Sequence, residues 1–533
     1  MSRPNPLILL AIIAVSTVIM AGVAIRPGAL MISAHEGDTY HLLDIIFRMD
    51  RGLEPHQDFV TPIGVLAFLP ILWFIEGGYG VGTAILFSQL LVAVALIIPI
   101  WYTASSRLSA RTGYLFAAVS MITVLALVYG GSEPGLSISM HYNRWAWAIA
   151  YILVVLALVP GRGFKWLDGL LFGLGLSALV LLKITFFVAL LPGIALALIL
   201  RRDAQTMLVA AVTGAVVAIG VTVFLGFGFW TGYVGDLANV AASEVRPYAG
   251  VTLTGLISEP SSMIAIALGL CAYLFLSRSG QRNAALALIL LLPGFIYITY
   301  QNFGNDPKWL IPFAAAILAL RPTEEEYQEQ VTPLTVVALA AVVLILPSVL
   351  TMALSPFRHI SQSAELYEPM LPALPKHSDI KVRIDRGNTM TALVFLDQRE
   401  EVWAKYGEVI ERPEAPEVAG ITIPKCEVLA GTSAWFKEIT SDLVAANIPA
   451  GSQLFTTDIL TAFWLFGPFD PLQDGAPWYY GDLSGIENAN YVLVPKCSFV
   501  DRVFGIMLDE LNAADLDLVL VRNNELYALY QVN

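Results

Sequence analysis

The stretch GVGTAILFSQLLVAVALIIPIW occupies residues 80–101 and contains no charged side chain. A helix needs about 20 predominantly apolar residues to cross the hydrocarbon core of a bilayer. Similar apolar runs recur on both sides of this stretch, and short polar loops separate them. The sequence predicts eleven spans, at about 7–26, 80–101, 113–130, 144–160, 167–182, 184–200, 207–230, 260–277, 284–300, 308–320 and 331–353. The predicted fold class is therefore a polytopic α-helical membrane protein.

Composition and charge divide the chain into two parts. Of its 533 residues, 57% are hydrophobic and 14% are charged, whereas a soluble domain carries about 25% charged residues. Residues 1–356 hold 17 Lys/Arg and 18 Asp/Glu, and residues 357–533 hold 13 and 25. We expect a nearly neutral transmembrane module (1–356) followed by an acidic, soluble α/β domain (357–533). This acidic balance also argues against nucleic acid as a partner.

The direction of the spans depends on the run from Thr61 to Ile75, because counting it as a span would reverse every later segment. Positively charged residues concentrate in the short cytoplasmic loops of membrane proteins. If this run enters the membrane without crossing, one side holds Arg3, Arg107, Arg111, Arg162, Lys165, Arg201, Arg202, Arg278, Arg282 and Arg321. The other side holds Arg26, Arg48, Arg51, Arg144, Lys183, Arg246 and Lys308. We therefore expect an inner (plasma) membrane protein with a cytoplasmic N-terminus and an extracytoplasmic, periplasmic C-terminal domain.

Two local features leave alternatives open. The first apolar segment follows Arg3 and could be a signal peptide, but its length and the lack of a small-residue cleavage site favour a retained span. Cys426 and Cys497 both lie in the expected outer domain, each within a Pro-Lys-Cys tripeptide. In an oxidising compartment they would form a disulfide. Two unpaired thiols in a reduced domain remain the alternative.

Acidic residues cluster in the first outer segment, HEGDTYHLLDIIFRMDRGLEPHQDF (35–59). Its apolar residues recur at helical spacing, which predicts an amphipathic helix along the membrane surface. We expect Asp44, Asp50 and Arg51 to form its solvated, structural face. Glu36 and Asp38 precede that helix in a glycine-containing turn, where a carboxylate can point toward a bound lipid headgroup.

Four cations come from four separate outer segments. Arg144 begins a span, Lys183 interrupts the apolar run LVLLKITFF, and Arg246 and Lys308 lie in outer loops. Each could extend to the headgroups as an isolated side chain. Together, next to an acidic loop, they favour a binding site for a phosphate group, which guanidinium and ammonium groups recognise.

The order of these features resembles the GT-C superfamily of integral-membrane glycosyltransferases, which includes protein mannosyltransferases and aminoarabinose transferases. The resemblance covers residues 1–350 by layout. It is carried by the acid after the first span (Glu36-Gly-Asp38-Thr-Tyr40), the RGLEP turn (51–55), the second acid in His56-Gln-Asp58-Phe59, the basic loop 104–111 and the lysine of LLKITFF. Many relatives carry adjacent Asp-Glu at the first position, so both Glu36 and Asp38 stay candidates for the reactive acid.

The resemblance implies transfer of a sugar, with inversion, from a polyprenyl-phosphate donor to a lipid, glycan or protein acceptor at the outer membrane face. Asp38 would be the catalytic base, with Glu36 as the alternative. Asp58 would orient the acceptor or hold a divalent metal, a role that His56 could share. Arg144, Lys183, Arg246 and Lys308 would bind the phosphate. The residues expected to support the acceptor or its loops are Tyr40, His56, His141 and Asn143.

Three other functions are possible, and each predicts different sequence features. A polyprenyl-dependent O-antigen polymerase or ligase also faces outward, but it depends on arginine and histidine in one large outer loop. A transporter would carry interrupted helices and charges at mid-membrane depth, whereas most charges here are expected at the outer surface. A non-catalytic scaffold would not need clustered outer acids and cations. Phosphate-binding glycine loops and zinc-protease motifs are absent from the sequence.

Overall fold

The computed structural model of this chain describes residues 2–161, 163–245, 252–301, 306–323, 325–396, 401–406, 416–423, 426–514 and 516–533. Its first part is helical. The helices are α1 (Pro6–Ile25), α2 (Glu36–Asp50), α3 (Leu69–Glu76), α4 (Val81–Arg107), α5 (Ala110–Leu125), α6 (His141–Leu158), α7 (Lys165–Leu182), α8 (Ile184–Leu200), α9 (Ala204–Ala242), α10 (Leu253–Ser258), α11 (Pro260–Arg278), α12 (Arg282–Gln301), α13 (Leu310–Ala319) and α14 (Val331–Ile360).

Seven helices of the described chain are long and apolar enough to cross a membrane, namely α1, α4, α7, α9, α11, α12 and α14 with the turn before it. Shorter apolar helices are α5, α8 and α13. Every residue of α6 is buried, so this helix forms the centre of the bundle. The chain therefore has the helical content of a polytopic membrane protein, and a helix lies within each of the eleven predicted apolar segments.

The run from Thr61 to Ile75 forms a short 3-10 turn (Val65–Ala67) followed by the eight-residue helix α3. Eight helical residues span about 12 Å, well short of the ~30 Å hydrocarbon core. The chain then starts α4 against the C-terminal domain, because the Asp379 carboxylate accepts hydrogen bonds from the backbone N–H groups of Gly82 and Thr83. This segment is thus too short to cross.

The helix ends opposite the C-terminal domain are bonded to one another. The N–H of Ala110 donates to the carbonyl of Ser2 at 2.9 Å. Arg107 forms an ion pair with Asp168 at the start of α7, and Arg201 donates to the last carbonyls of α6. The loops predicted to be basic and cytoplasmic are therefore collected at one end of the bundle.

The C-terminal region combines small sheets with helices. Its strands and helices, with one strand from the first outer segment, are β1 (Leu30–Ile32), β2 (Tyr367–Pro369), β3 (Ile380–Arg383), α15 (Ile384–Asn388), β4 (Thr391–Val394), α16 (Glu401–Ala404), β5 (Glu417–Val418), β6 (Ile421–Thr422), β7 (Cys426–Ala430), α17 (Thr432–Ala445), β8 (Leu454–Thr456), β9 (Tyr491–Pro495), α18 (Asp501–Ala513), β10 (Leu518–Asn523) and β11 (Tyr527–Val532). The largest sheet has the order β10-β11-β9-β8, in which β8 and β9 are parallel.

The membrane part and the C-terminal region are interlocked. Strand β1, which follows α1 directly, pairs in parallel with β3 and forms the edge of the sheet β1-β3-β2. Helix α14 continues to Ile360, a few residues beyond the predicted domain boundary. The C-terminal region is therefore fixed to the bundle at β1, just before the first outer segment, and at the last helix.

The prediction that the charged face of α2 is solvated is wrong for Asp44. Asp44 is fully buried and Arg48 is 1% exposed. Arg48 donates to the Asp44 carboxylate at 2.6 Å, and that carboxylate also accepts from the indole of Trp464 and the hydroxyl of Thr461. The C-terminal domain covers the polar face, so these charges are neutralised internally instead of by water. Asp50 and Arg51 are exposed, as expected.

Candidate active site

Asp38 lies in the first turn of α2 and faces a small pocket at the outer end of the bundle. The Ser139 hydroxyl donates to its carboxylate at 2.5 Å. The pocket is lined by Asp38, His41, Ile63, Phe68, His141 and Tyr142, among others. Asp38 is partly exposed, so its carboxylate combines a fixed orientation with access to a bound molecule.

Lys183 contacts the aromatic ring of Tyr142, one of the residues that line this pocket. It is the one residue between the end of α7 and the start of α8, and its extended backbone (φ −158°) separates the two helices. Its ammonium lies 5.4 Å from the ring centroid of Tyr142, which lines the Asp38 pocket. A cation at this distance interacts with the face of an aromatic ring. Lys183 is therefore held close to the pocket.

Arg144 and Lys308 form a buried cationic pair next to the loop before α6. Each is 1% exposed. A Cβ placed on Gly130 would lie 3.2 Å from Nζ of Lys308 and 4.0 Å from Cγ of Arg144, so both side chains contact the same glycine. Asp306, two residues before Lys308, supplies a negative charge near this pair.

The guanidinium of Arg144 is only partly satisfied. Its Nη1 donates to the carbonyl of Val128 at 2.5 Å, while its buried Nε and Nη2 have no hydrogen-bond partner among the residues that the structure describes. Leaving a buried charged donor unpaired costs free energy. Arg144 also lies in the first turn of α6, where the partial positive charge of the helix N-terminus favours an anion. The region therefore has the charge and the unused donors of an anion-binding site.

The other two predicted acids and Tyr40 contact the C-terminal domain. Glu36 accepts hydrogen bonds from Arg386 at 2.9 and 3.1 Å. The Tyr40 hydroxyl bonds Ser433 at 2.7 Å. The Asp58 carboxylate accepts from the N–H of Glu54 at 2.7 Å, which closes the turn before it. These contacts favour structural roles for Glu36, Tyr40 and Asp58.

His56 is buried and its Nδ1 lies 2.7 Å from the Asp236 carboxylate of α9. The same carboxylate accepts from the N–H of Thr61 at 3.0 Å. This arrangement fastens the first outer segment to α9. Across the described ranges, no group of three or more His, Cys, Asp and Glu side chains is placed to hold a metal ion. The surroundings of Asp58 and His56 thus do not fit the metal site that the resemblance allowed.

The remaining predicted residues are distributed around α6. His141 begins that helix, and its Nε2 lies 2.9 Å from the carbonyl of Ala67. Asn143 donates to the sulfur of Met140 at 3.4 Å, and its buried side-chain oxygen has no hydrogen-bond partner. Arg246 lies outside the described residues. Cys426 and Cys497, the predicted pair, form a disulfide.

A largely apolar cavity of about 410 Å³ lies between α7, α8 and α9. Its walls include Phe172, Leu176, Phe187 and Trp230, and it reaches Leu181. Leu181 lies two residues before Lys183 in the chain.

Several contacts to the predicted site residues come from residues that the sequence analysis did not single out: Ser139, Tyr142, Asp236 and Arg386. Ser139 and Tyr142 are ordinary loop and helix residues whose role depends on folding. Asp236 had a detectable signal, because it is the one charged residue within the 39 residues of α9. An ionisable residue in such a helix is a functional-site hypothesis by default.

The arrangement of acid, cations and apolar cavity has to be interpreted from its own chemistry. Comparison with protein-family models, with curated proteins and with solved structures finds no match to this chain.

Proposed function

We propose that this protein is an inverting membrane glycosyltransferase of the GT-C type, which uses a sugar linked to polyprenyl phosphate. The observation that carries the proposal is the placement of one oriented carboxylate, Asp38, in a pocket whose lining residue Tyr142 contacts Lys183 and is followed two residues later in α6 by a partly unsatisfied arginine, Arg144. A base and an anion site on neighbouring elements are what such a transfer requires.

In the proposed reaction, Asp38 takes the proton from an acceptor hydroxyl. The oxygen of that hydroxyl forms a bond to the anomeric carbon of the donor sugar. The bond between this carbon and the phosphate oxygen breaks, and the polyprenyl phosphate leaves with its electron pair. Attack from the face opposite the leaving group inverts the anomeric configuration. Ser139, which donates to Asp38, keeps the carboxylate in position.

The leaving phosphate gains negative charge as the bond breaks, and fixed donors lower the energy of that charge. Arg144 supports this role with its two unused donors. Lys308 supports it because burial beside another cation makes a bound anion favourable. Lys183 would contact the phosphate or the sugar from the side of Tyr142. Arg246, in its outer loop, is proposed to help bind the phosphate.

The apolar cavity between α7 and α9 supports a lipid-linked donor. Its lining is largely apolar, so an apolar chain such as an isoprenoid gains free energy by occupying it. Because its lining includes Leu181, two residues before Lys183 in the chain, we propose that a chain in the cavity places its phosphate close to the cations. The acceptor, a lipid, glycan or protein, would enter on the side of the C-terminal domain.

The membrane arrangement that goes with this function has eleven spans, with the basic loops in the cytoplasm and residues 357–533 outside the inner membrane. The shorter helices α5, α6, α8 and α13 would cross within the bundle. This arrangement exposes Asp38 to the outer leaflet, where a polyprenyl-phosphate sugar would be presented.

The test uses purified full-length protein in nanodiscs with a panel of polyprenyl-phosphate sugars. The measurement is release of polyprenyl phosphate in the presence of a membrane-lipid extract as acceptor. We expect the wild type to consume at least one donor and Asp38→Asn to lose about 10²–10⁴-fold in rate, the range for loss of a general base. Arg144→Lys should lose rate because a lysine cannot bind phosphate bidentately.

The matched control is Glu36→Gln, a carboxylate two residues from Asp38 in a different environment. It should keep most of the transfer rate. Full activity in Asp38→Asn would contradict the assignment of the base, and failure of the wild type to consume any donor of a broad panel would contradict the function.

A further inference from the structure

Helix α9 is broken at Gly226, about one hydrocarbon-core thickness from the start of the helix. The residue adopts φ 78° and ψ 170°, which interrupts the helix. The part before the break, residues 204–225, has 22 residues and is about 33 Å long, close to the ~30 Å hydrocarbon core. Arg201 and Arg202 precede it at the opposite end of the bundle. One membrane thickness therefore separates these arginines from Gly226.

A second cavity, of about 220 Å³, opens at this break. Its walls are apolar side chains from three elements, including Met49 of α2, Leu69 and Leu72 of α3, and Leu225 and Phe229 of α9. Phe224 and Phe227, on either side of the break, are 86% and 71% exposed. Such exposed aromatic side chains on an apolar helix face lipid, so the cavity opens beside the acyl chains.

The rim of the cavity favours a cation. Glu54 is exposed and is the one charged residue in the described lining. The first part of α9 ends at Leu225, and the carbonyls at a helix C-terminus carry a partial negative charge. The side-chain amide of Gln57 donates both to the Glu54 carboxylate and, at 3.2 Å, to the Leu225 carbonyl. A carboxylate and a helix C-terminus thus face the same opening, and Gln57 bridges them.

The cavity is built into the fold. A Cβ on Gly228 would lie 2.7 Å from Oε1 of Gln57, and a Cβ on Gly232 would lie 1.7 Å from the carbonyl oxygen of His56. The two glycines allow residues 56 and 57 to lie directly on α9. The ion pair between His56 and Asp236 fastens the same contact.

We propose that this cavity binds a membrane phospholipid with an amine headgroup, such as phosphatidylethanolamine. The ammonium group lies at Glu54 and the carbonyls that end the first part of α9, and the upper part of one acyl chain packs against Leu72 and Phe229. The site is separate from the Asp38 pocket and its occupancy does not depend on the proposed transfer reaction.

The test uses full-length protein in vesicles that contain phosphatidylethanolamine and phosphatidylglycerol, one of which carries a photoreactive diazirine in its acyl chain. After illumination, the labelled peptides are identified by mass spectrometry. We expect labelled phosphatidylethanolamine to react with residues 49–72 and 225–229 more than labelled phosphatidylglycerol does, by about threefold, the scale of an exposed ion pair.

Two variants and one control make the test specific. Leu72→Trp fills the cavity and should remove the excess labelling by phosphatidylethanolamine, leaving the labelling that lipid-facing residues such as Phe227 receive from either lipid. Glu54→Gln leaves the walls intact and should remove the preference for the amine headgroup. Val223→Trp changes a residue that is 74% exposed and lies outside the cavity, so labelling should stay unchanged. Equal labelling by both lipids in the wild type, or an excess of phosphatidylethanolamine labelling that persists in Leu72→Trp, would overturn the proposal.

Discussion

Glu36 and Asp38 are two residues apart, yet they face different parts of the molecule. Successive helical residues are rotated by about 100°, so positions i and i+2 point in nearly opposite directions. Glu36 is 6% exposed and bonds Arg386 of the C-terminal domain, whereas Asp38 bonds Ser139 and lines the pocket. The sequence leaves open which of the two acids is the base. Helix geometry favours Asp38, because Asp38 and not Glu36 faces the pocket.

The ion pair between Glu36 and Arg386 should contribute to the free energy of unfolding. We expect Glu36→Gln and Arg386→Ala each to lower the free energy of unfolding by about 1–3 kcal/mol, the contribution of hydrogen bonds to charged groups. The double variant should cost less than the sum, because both substitutions remove the same interaction. Thermal unfolding of the detergent-solubilised protein measures this. Additive losses would show that the two side chains do not interact.

Asp458 gives a prediction about pH. This carboxylate is fully buried, and burial raises its pKa to about 7 although the N–H groups of Ile459, Phe499 and Val500 donate to it. The folded state thus binds a proton more tightly than the unfolded state, whose carboxyl has its ordinary pKa near 3.8. The stabilisation is complete below about pH 4 and is lost as the pH rises through 7.

We therefore expect the Tm of the wild type to fall relative to that of Asp458→Asn between pH 5 and pH 8, by several degrees. The comparison uses the change with pH, because the asparagine also alters the hydrogen bonds to the three N–H groups. Thermal scans of both proteins at the two pH values provide the measurement. A constant difference in Tm would mean that Asp458 does not titrate in this range.

At the scale of elements, α9 shows how glycine spacing determines packing. Gly228 and Gly232 are four residues apart and lie on the same face of the helix, where they allow close approach of the first outer segment. Small residues at this spacing are common where helices of membrane proteins pack closely. The break at Gly226, by contrast, requires the positive φ that glycine adopts most easily.

Gly232→Ala should be destabilising, because its Cβ would overlap the carbonyl oxygen of His56. Relieving such an overlap costs about 1–3 kcal/mol. The matched control is Gly220→Ala in the same helix, where no atom lies within 4 Å of the new Cβ. It should be neutral or slightly stabilising. Thermal unfolding of the two variants distinguishes the packing contact from a general effect of alanine, and equal Tm values would contradict the packing argument.

At the scale of the whole molecule, the bundle has one end built from basic loops and one end covered by the C-terminal domain. The proposed orientation places the basic end in the cytoplasm. In a background with Cys271→Ala, a cysteine at Asn283 tests the basic end and one at Ser361 tests the covered end. Both positions are exposed.

A membrane-impermeant thiol reagent should label Ser361→Cys in intact cells and leave Asn283→Cys unlabelled, because only the first faces outward. After permeabilisation both should react, which controls for accessibility. Labelling of Asn283→Cys alone in intact cells would reverse the orientation and place Asp38 at the inner leaflet, where the proposed donor is not presented.

The sequence alone predicted the apolar segments, the short run before α4, the acidic C-terminal region and the pair Cys426 and Cys497. These features depend on hydrophobicity, segment length and charge, which act locally along the chain. The mixture of strands and helices in residues 357–533 was also predicted, from local periodicity and turn residues.

Only the tertiary structure decided the environment of each polar residue. The charged face of α2 carries the amphipathic pattern of a surface helix, but a domain more than 300 residues later in the chain covers it. The same folding separates Glu36 from Asp38 and brings Arg144 against Lys308. A periodic pattern records which face is polar. Whether water, a counter-charge or a ligand satisfies that face depends on contacts between segments distant in sequence.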